Sequence, residues 1–331
     1  MTHAQFLFPI ADDLFQLHLP LPFALNRVNV YLARDGDGWT IFDTGLNTPA
    51  ARQAWTAALD ALGITLRDVR QIVLTHSHPD HFGLAGWLQA QAGADPPPLR
   101  LSPQEDRQAR QVWDDLPRSG ASSERHLLAC GMPPAMAAEV AQGVVTTGRM
   151  TLPHPLRREW IQTGDELRIG RRRFQAIHAP GHSDGQLLFY DPDDRLLLCG
   201  DQVLLKITPN IGRWPDFQPD PLGRFLESLR ELETLEVRLA LPGHKALITD
   251  WRGRVNELQA HHAARLERTL AATSGGATVY EAGQQVFDGG GAFSSHEWRF
   301  AMAETLAHLE YLELQGRVRR DAGPVWRFWP A

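Results

Sequence analysis

The first 100 residues alternate short β-rich runs with turns. Segments 14–19 (LFQLHL), 28–33 (VNVYLA) and 39–44 (WTIFDT) carry the β-branched and aromatic content of strands. Segment 51–62 (ARQAWTAALDAL) has helical spacing and stops before Gly63. Segment 71–76 (QIVLTH) is an apolar run closing on polar residues, as expected of a buried strand that reaches a functional edge, and a helix over 80–91 should follow. From Pro103 to Trp160 the pattern changes to three short helices, 103–115, 122–131 and 133–145, separated by Gly and Pro. This stretch, 103–160, reads as a helical insertion and a candidate lid. Strand patterns return at 165–170, 172–179, 186–191 and 195–201, followed by a helix over 220–235 and a strand over 237–243. Beyond residue 250 the pattern is helical, at 252–272, 278–287 and 296–316, before a tail that reads as a hairpin. Helix, helix, helix, hairpin resembles a winged helix.

Composition places this pattern in the globular class. A chain of 331 residues with 43% hydrophobic and 22% charged residues can bury a sizeable core, and its length suits two domains, divided here as 1–250 and 251–331. A net charge of −6 favours neither nucleic acid nor an anionic membrane surface. Two cysteines, Cys130 and Cys199, cannot form a disulfide framework, so a reduced, cytoplasmic location is expected. The opening MTHAQFLFPIADDLF lacks a basic segment and is interrupted by Asp12 and Asp13, unlike a signal peptide. No run approaches the ~18 apolar residues a membrane helix needs.

Candidate chemistry is concentrated in THSHPDH, residues 75–81. His76 and His78 are two apart at the end of an extended run, so both side chains can point to one side. Pro79 favours an extended backbone at His78 and starts the next helix, from whose first turn Asp80 and His81 project elsewhere. Imidazole and carboxylate suit zinc, iron or manganese. A catalytic metal takes about three protein ligands, so more must lie at the ends of other strands. Three metal-capable residues beside glycine qualify: His182 in HAPGHSDG, Asp201 in LLLCGD and His244 in LALPGHK. The assembled set is His76, His78 and His182 on one ion, Asp80, His81 and His244 on a second, and Asp201 bridging. Two ions ~4 Å apart would lower the pKa of a bridging water toward ~7 and supply hydroxide at neutral pH. No Ser or Cys nucleophile is then required, and no GxSxG elbow is present.

THSHPDH, PGHSDG, CGD and PGH, in that order, resemble the metallo-β-lactamase-fold hydrolases, and FDTG (42–45) resembles an upstream motif of that family. The resemblance spans about residues 13–250 and implies an α+β, four-layer αββα sandwich with the site at the edge between two mixed sheets. It also implies that Asp43 orients a ligand histidine. The insertion and tail resemble a bacterial subgroup with a winged-helix-like C-terminal extension. Asp201 departs from the antibiotic-hydrolysing members and argues against β-lactamase activity; His78 departs from the glutamate of flavodiiron oxygen reductases. Hydroxyacylglutathione thioesterases, lactonases, esterases, persulfide dioxygenases and RNA-processing nucleases remain.

The expected function is a binuclear hydrolase, zinc-dependent in the first instance, in which a metal-bridging hydroxide attacks a thioester, lactone or ester carbonyl of a small-molecule substrate and Asp80 handles the proton. The alternatives are an RNA phosphodiesterase, an iron-dependent persulfide dioxygenase, and a non-enzymatic DNA-binding regulator. Helix 296–316 carries Glu297, Glu304, Glu310 and Glu313 against Arg299, the wrong sign for a major groove. The tail is therefore read as structural, packing on the main domain or on a second subunit of a homo-oligomer. Trp113, Trp160, Trp214 and Phe217 are candidates to line an apolar pocket, and Lys206 a candidate to bind a substrate anion. His178 is expected to support the site rather than ligate, and His261 and His262 to lie on a helix surface. His3, His18, His126, His154, His296 and His308 have no assigned partners.

Overall fold

The computed structural model describes residues 6–287, 293–321 and 323–331, so His3 lies outside the described residues. A first sheet runs in the order β1 (Leu7–Ala11), β2 (Leu14–Pro20), β3 (Arg27–Asp35), β4 (Gly38–Phe42), β5 (Val69–Val73), β6 (Leu99–Leu101), β7 (Arg158–Trp160). It is antiparallel through β4 and parallel thereafter. A second sheet comprises β8 (Glu166–Ile169), β9 (Arg172–His178), β10 (Leu187–Asp191), β11 (Leu196–Gly200) and β12 (Leu239–Pro242), antiparallel except for the parallel β11–β12 pair. A small third sheet holds β13 (Ala277–Thr278), β14 (Val318–Asp321) and β15 (Arg327–Pro330). The helices are α1 (Pro49–Leu62), α2 (Pro79–Phe82), α3 (Ala85–Ala92), α4 (Pro103–Trp113), α5 (Leu116–Ala129), α6 (Pro134–Arg149), α7 (Pro221–Glu233), α8 (Trp251–Ala272), α9 (Val279–Val286) and α10 (Ser295–Leu314).

Side-chain alternation along the strands produces the layers. On β10, Leu187 and Phe189 face the first sheet, while Leu188 and Tyr190 face the outer helices; on β11, Leu196 and Leu198 alternate with Leu197 and Cys199 in the same way. Phe42 of β4 meets Phe174 of β9 and Phe189 of β10, with ring centroids 5.5 and 5.4 Å apart, and closes the space between the sheets. The outer face of the first sheet packs on Ala54, Trp55, Ala58, Ala85 and Leu88 of α1 and α3. The outer face of the second packs on Phe225, Leu229, Val255 and Leu258 of α7 and α8, and this core continues without a break into α9, α10 and the third sheet. The four-layer αββα sandwich follows directly.

The structure differs from the sequence reading in several places. The strand read as 71–76 is Val69–Val73, so His76 stands in the loop beyond it. The helix read as 80–91 is two helices, because the Leu84 N–H donates to the Gly45 carbonyl instead of continuing the α-ladder. Segments 7–11, 99–101 and 158–160 form strands that are too short or too polar to show a period, and the last lay within the expected insertion. His262 is buried rather than exposed, 3.2 Å from His308, since α8 is covered by α10 along that side. Cys130 and Cys199 are buried and unpaired. No helix among the described residues is long and apolar enough to cross a membrane.

Phe42→Ala is expected to lower unfolding stability by about 3–5 kcal/mol, because the rings of Phe174 and Phe189 cannot collapse into the space left behind. Denaturant titration of the chelated protein measures it, and a loss under ~1 kcal/mol would mean that the inter-sheet core tolerates the void.

Candidate metal centre

All seven expected ligands come from segments that leave strands at one edge of the sandwich. His76, His78, Asp80 and His81 follow β5, His182 sits between β9 and β10, Asp201 follows β11, and His244 follows β12. Pro79 occupies the first position of α2 with His78 extended before it, which separates the two histidine directions. The structure brings the seven together in overlapping groups, His76–His78–His182, Asp80–His81–His244 and His76–His81–Asp201, each with its donor atoms within 4.8 Å of one another. Asp201 Oδ2 lies 3.2 Å from His244 Nε2, 3.5 Å from His81 Nε2 and 3.7 Å from His182 Nε2, so it stands between the first two groups.

The outward atoms of these rings are held by groups that can only accept. His182 Nδ1 donates to the Asn210 carbonyl at 2.9 Å, His244 Nδ1 to the Arg27 carbonyl at 2.8 Å, and His81 Nδ1 to Asp43 Oδ2 at 2.8 Å. Each bond fixes a proton on Nδ1, so Nε2 is the atom that faces inward, and in the neutral ring it offers a lone pair there. Nε2 of His81 and His182 and Oδ1 of Asp201 are buried and make no hydrogen bond among the described residues, and His76 Nε2 faces His78 Nδ1 at 3.0 Å. Once deprotonated, these inward imidazole nitrogens and carboxylate oxygens form the converging donor set that a cation's coordination shell requires, so the residues fit divalent metal.

Asp43 holds its position through a left-handed backbone (φ 59°), which Asp tolerates, and accepts from the Thr75 N–H and Thr75 Oγ at 2.8 Å each. Gly243 is required by close approach: a Cβ there would stand 2.3 Å from Asp201 Oδ1 and 2.6 Å from His81 Cε1.

Residues 24–244 match the family profile described as the Metallo-beta-lactamase superfamily, and residues 266–331 match that of the Metallo-beta-lactamase-like, C-terminal domain. The chain belongs to the metallo-β-lactamase superfamily. It is 35% identical to a metallo-beta-lactamase family protein from Thermus thermophilus, with a TM-score of 0.87 over 98% of this chain and 100% of that one. A Beta-lactamase domain protein from Burkholderia ambifaria is 30% identical, with a TM-score of 0.88 over 98% and 94%. The protein described as Probable metallo-hydrolase YqjP of Bacillus subtilis (strain 168) is 25% identical over 93% of this chain and 94% of its own length. At the level of this family the chain is a metallohydrolase.

Without a cation, this superfamily site is an ion-paired network. Burial, with the neighbouring imidazoles, pushes His76 and His78 well below the ordinary histidine value, and burial also lowers His182. Burial opposes the charge on His81 and His244 too, but the Asp201 and Asp80 carboxylates outweigh it, with Asp43 adding to the effect at His81. His81 is raised well above its ordinary value and His244 to about 10. Burial would raise both carboxyls, yet His81 and His244 hold Asp80 at about 2 and Asp201 well below its usual range.

Several residues that shape the site carried no signal in the sequence. Ser102 caps α4 by accepting from the Glu105 N–H. The buried Glu105 carboxylate accepts from Ser77 N–H (2.7 Å), Ser77 Oγ (2.6 Å), Gly185 N–H (2.8 Å) and Ser183 Oγ, tying both histidine loops to the insertion. The insertion's first helix is thus bonded to the site, and Trp113 adds an indole N–H to the Ser77 carbonyl at 3.0 Å. Glu304 of α10 accepts from Asn210 Nδ2 at 3.1 Å and pairs with Arg265 at 2.8 Å, so the C-terminal helix supports the residue whose carbonyl orients His182.

Beside His78 and Asp80 opens a cavity of about 140 Å³, lined by Trp113, Val144, Trp214, Phe217, Arg299 and Phe300. Trp160 lies elsewhere, exposed and bonded to Asp106. Lys206 is exposed. His178 is half-buried and contacts the Asp184 carbonyl at 2.9 Å.

His244 contributes stability to the metal-free fold that is complete below about 6.5 and lost as pH rises toward about 10; Asp80 contributes stability complete above about 3.8 and lost as pH falls toward about 2. A metal ion held by these residues would have to displace the His81 and His244 protons. Calorimetric melting is therefore expected to show zinc stabilisation growing between about pH 6 and 8, and stabilisation that shrinks over that range would contradict this linkage. Glu304→Ala is expected to weaken metal binding about 10–100-fold in chelator competition by releasing Asn210; unchanged affinity would show that α10 does not support His182.

Proposed function

We propose that the chain is a binuclear metallohydrolase of thioester, lactone or ester carbonyls. The observation that carries this reading is the inward set of seven buried or half-buried donors opening directly onto a ring-lined cavity at His78 and Asp80. In this reading His76, His78 and His182 hold one ion, Asp80, His81 and His244 hold the other, Asp201 stands between them, and Asp43 fixes the His81 ring. Zinc is the favoured metal, with iron and manganese compatible with the same donors. When bound, the ions supply Lewis-acid polarisation of a carbonyl oxygen and a water of lowered pKa.

The chain's own groups do the remainder. Asp80, 3.2 Å from His244, half-buried and lining the cavity, is the group that would take the proton of the attacking water and return it to the leaving group. Trp113, Trp214, Phe217 and Phe300 offer an apolar acyl group a surface that excludes water. A carbonyl substrate agrees with one relative, described as an Atrochrysone carboxyl ACP thioesterase of Aspergillus terreus (strain NIH 2624 / FGSC A1156). It is 26% identical over 75% of this chain and 60% of its own length. The nucleic-acid readings find little support: the chain carries a net charge of −6, and α10 is buried around most of its circumference.

Elemental analysis is expected to find about two zinc per chain in the native protein and fewer in Asp201→Ala, which also loses hydrolysis of a thioester, lactone and ester panel. Full activity of the metal-free protein, or oxygen uptake by an iron-loaded one, would overturn the reading.

A further inference from the structure

Arg299 stands in the second turn of α10 and reaches the same cavity that opens on His78 and Asp80. Its guanidinium carbon lies 4.8 Å from the Trp214 ring centroid and 5.4 Å from that of Phe300. Other charges around the cavity are matched: Arg118 lies 3.9 Å from Asp216, and Asp80 faces His244. Among the described residues, no carboxylate or carbonyl accepts from the Arg299 guanidinium. Burial among the rings pulls its pKa down to about 10, which still leaves it charged at neutral pH. A guanidinium stacked on aromatic faces keeps its planar N–H edge free, and that edge matches carboxylate and phosphate oxygens in bidentate fashion. This half-buried cation has given up part of its hydration, and an entering anion would replace the lost hydrogen bonds.

We propose that Arg299 is an anion-binding subsite, which takes a carboxylate or phosphate group carried by the substrate on an apolar body packed against Trp214 and Phe300. On the hydrolase reading above, the preferred substrate is an acyl compound bearing a negative group remote from the reacting carbonyl.

The test is calorimetric titration of the full-length, metal-containing protein with 4-phenylbutyrate, its neutral amide and phenyl phosphate, in the wild type, Arg299→Gln and Arg299→Lys. Anion affinity is expected to drop about tenfold or more in Arg299→Gln, with amide affinity changed less than about twofold and partial recovery in Arg299→Lys. A greater loss for phenyl phosphate than for the carboxylate assigns phosphate as the natural group; the reverse assigns carboxylate. An anion-to-amide ratio unchanged in Arg299→Gln overturns the subsite, provided melting shows the variant folded. Hydrolysis is scored separately, with butyryl and glutaryl thioesters of N-acetylcysteamine. Arg299-dependent anion binding without hydrolysis of either thioester would sink the hydrolase reading and leave the subsite standing. Hydrolysis of both with an unchanged ratio would sink the subsite alone.

Discussion

The structure depends on lone pairs that are forced to face one another. Imidazole nitrogens and carboxylate oxygens repel when they converge without a proton or a cation between them. Here they cannot turn away: backbone carbonyls of Asn210 and Arg27 and the carboxylate of Asp43 hold the opposite ring atoms of His182, His244 and His81. Gly243 brings main chain so close to Asp201 and His81 that even a methyl group would collide. In the metal-free chain, protons on His81 and His244 offset this repulsion. A divalent cation does so with more charge, which is why proton and metal compete for one place.

The rest of the fold serves that convergence. Two sheets pressed together through Phe42, Phe174 and Phe189 align their strand ends along one edge, and Asp43 follows Phe42 directly, so the inter-sheet core sets the histidine-orienting carboxylate. Glu105 from the insertion holds the loops of His78 and His182 at a shared depth. Glu304 from the C-terminal helix steadies Asn210 behind His182, while Arg299 of the same helix enters the cavity in front. The C-terminal extension thereby reaches both Asn210 behind His182 and the cavity beside His78.

Much of this was legible in the chain because metal ligands need particular residue types beside backbone that can approach closely. THSHPDH, PGHSDG, CGD and PGH have this form, and each lies where the strand pattern ends. Misplaced elements have local causes. Three-residue strands such as Leu99–Leu101 show no period, and the break at Gly83–Leu84 depends on a hydrogen bond to distant Gly45. His262 looked exposed because helical spacing alone does not say which faces other helices will cover.

The sequence by itself determined the donor types, their order and the strand ends that carry them, since short-range periodicity and glycine-flanked ligands are local properties. It did not determine that Glu105 would tie the two histidine loops together, that Glu304 would support a histidine far earlier in the chain, or that Arg299 would face a cavity with no acceptor among the described residues. Those are matters of which surfaces meet, and only tertiary packing decides them, because a charge's meaning depends on the partners and water that burial leaves to it.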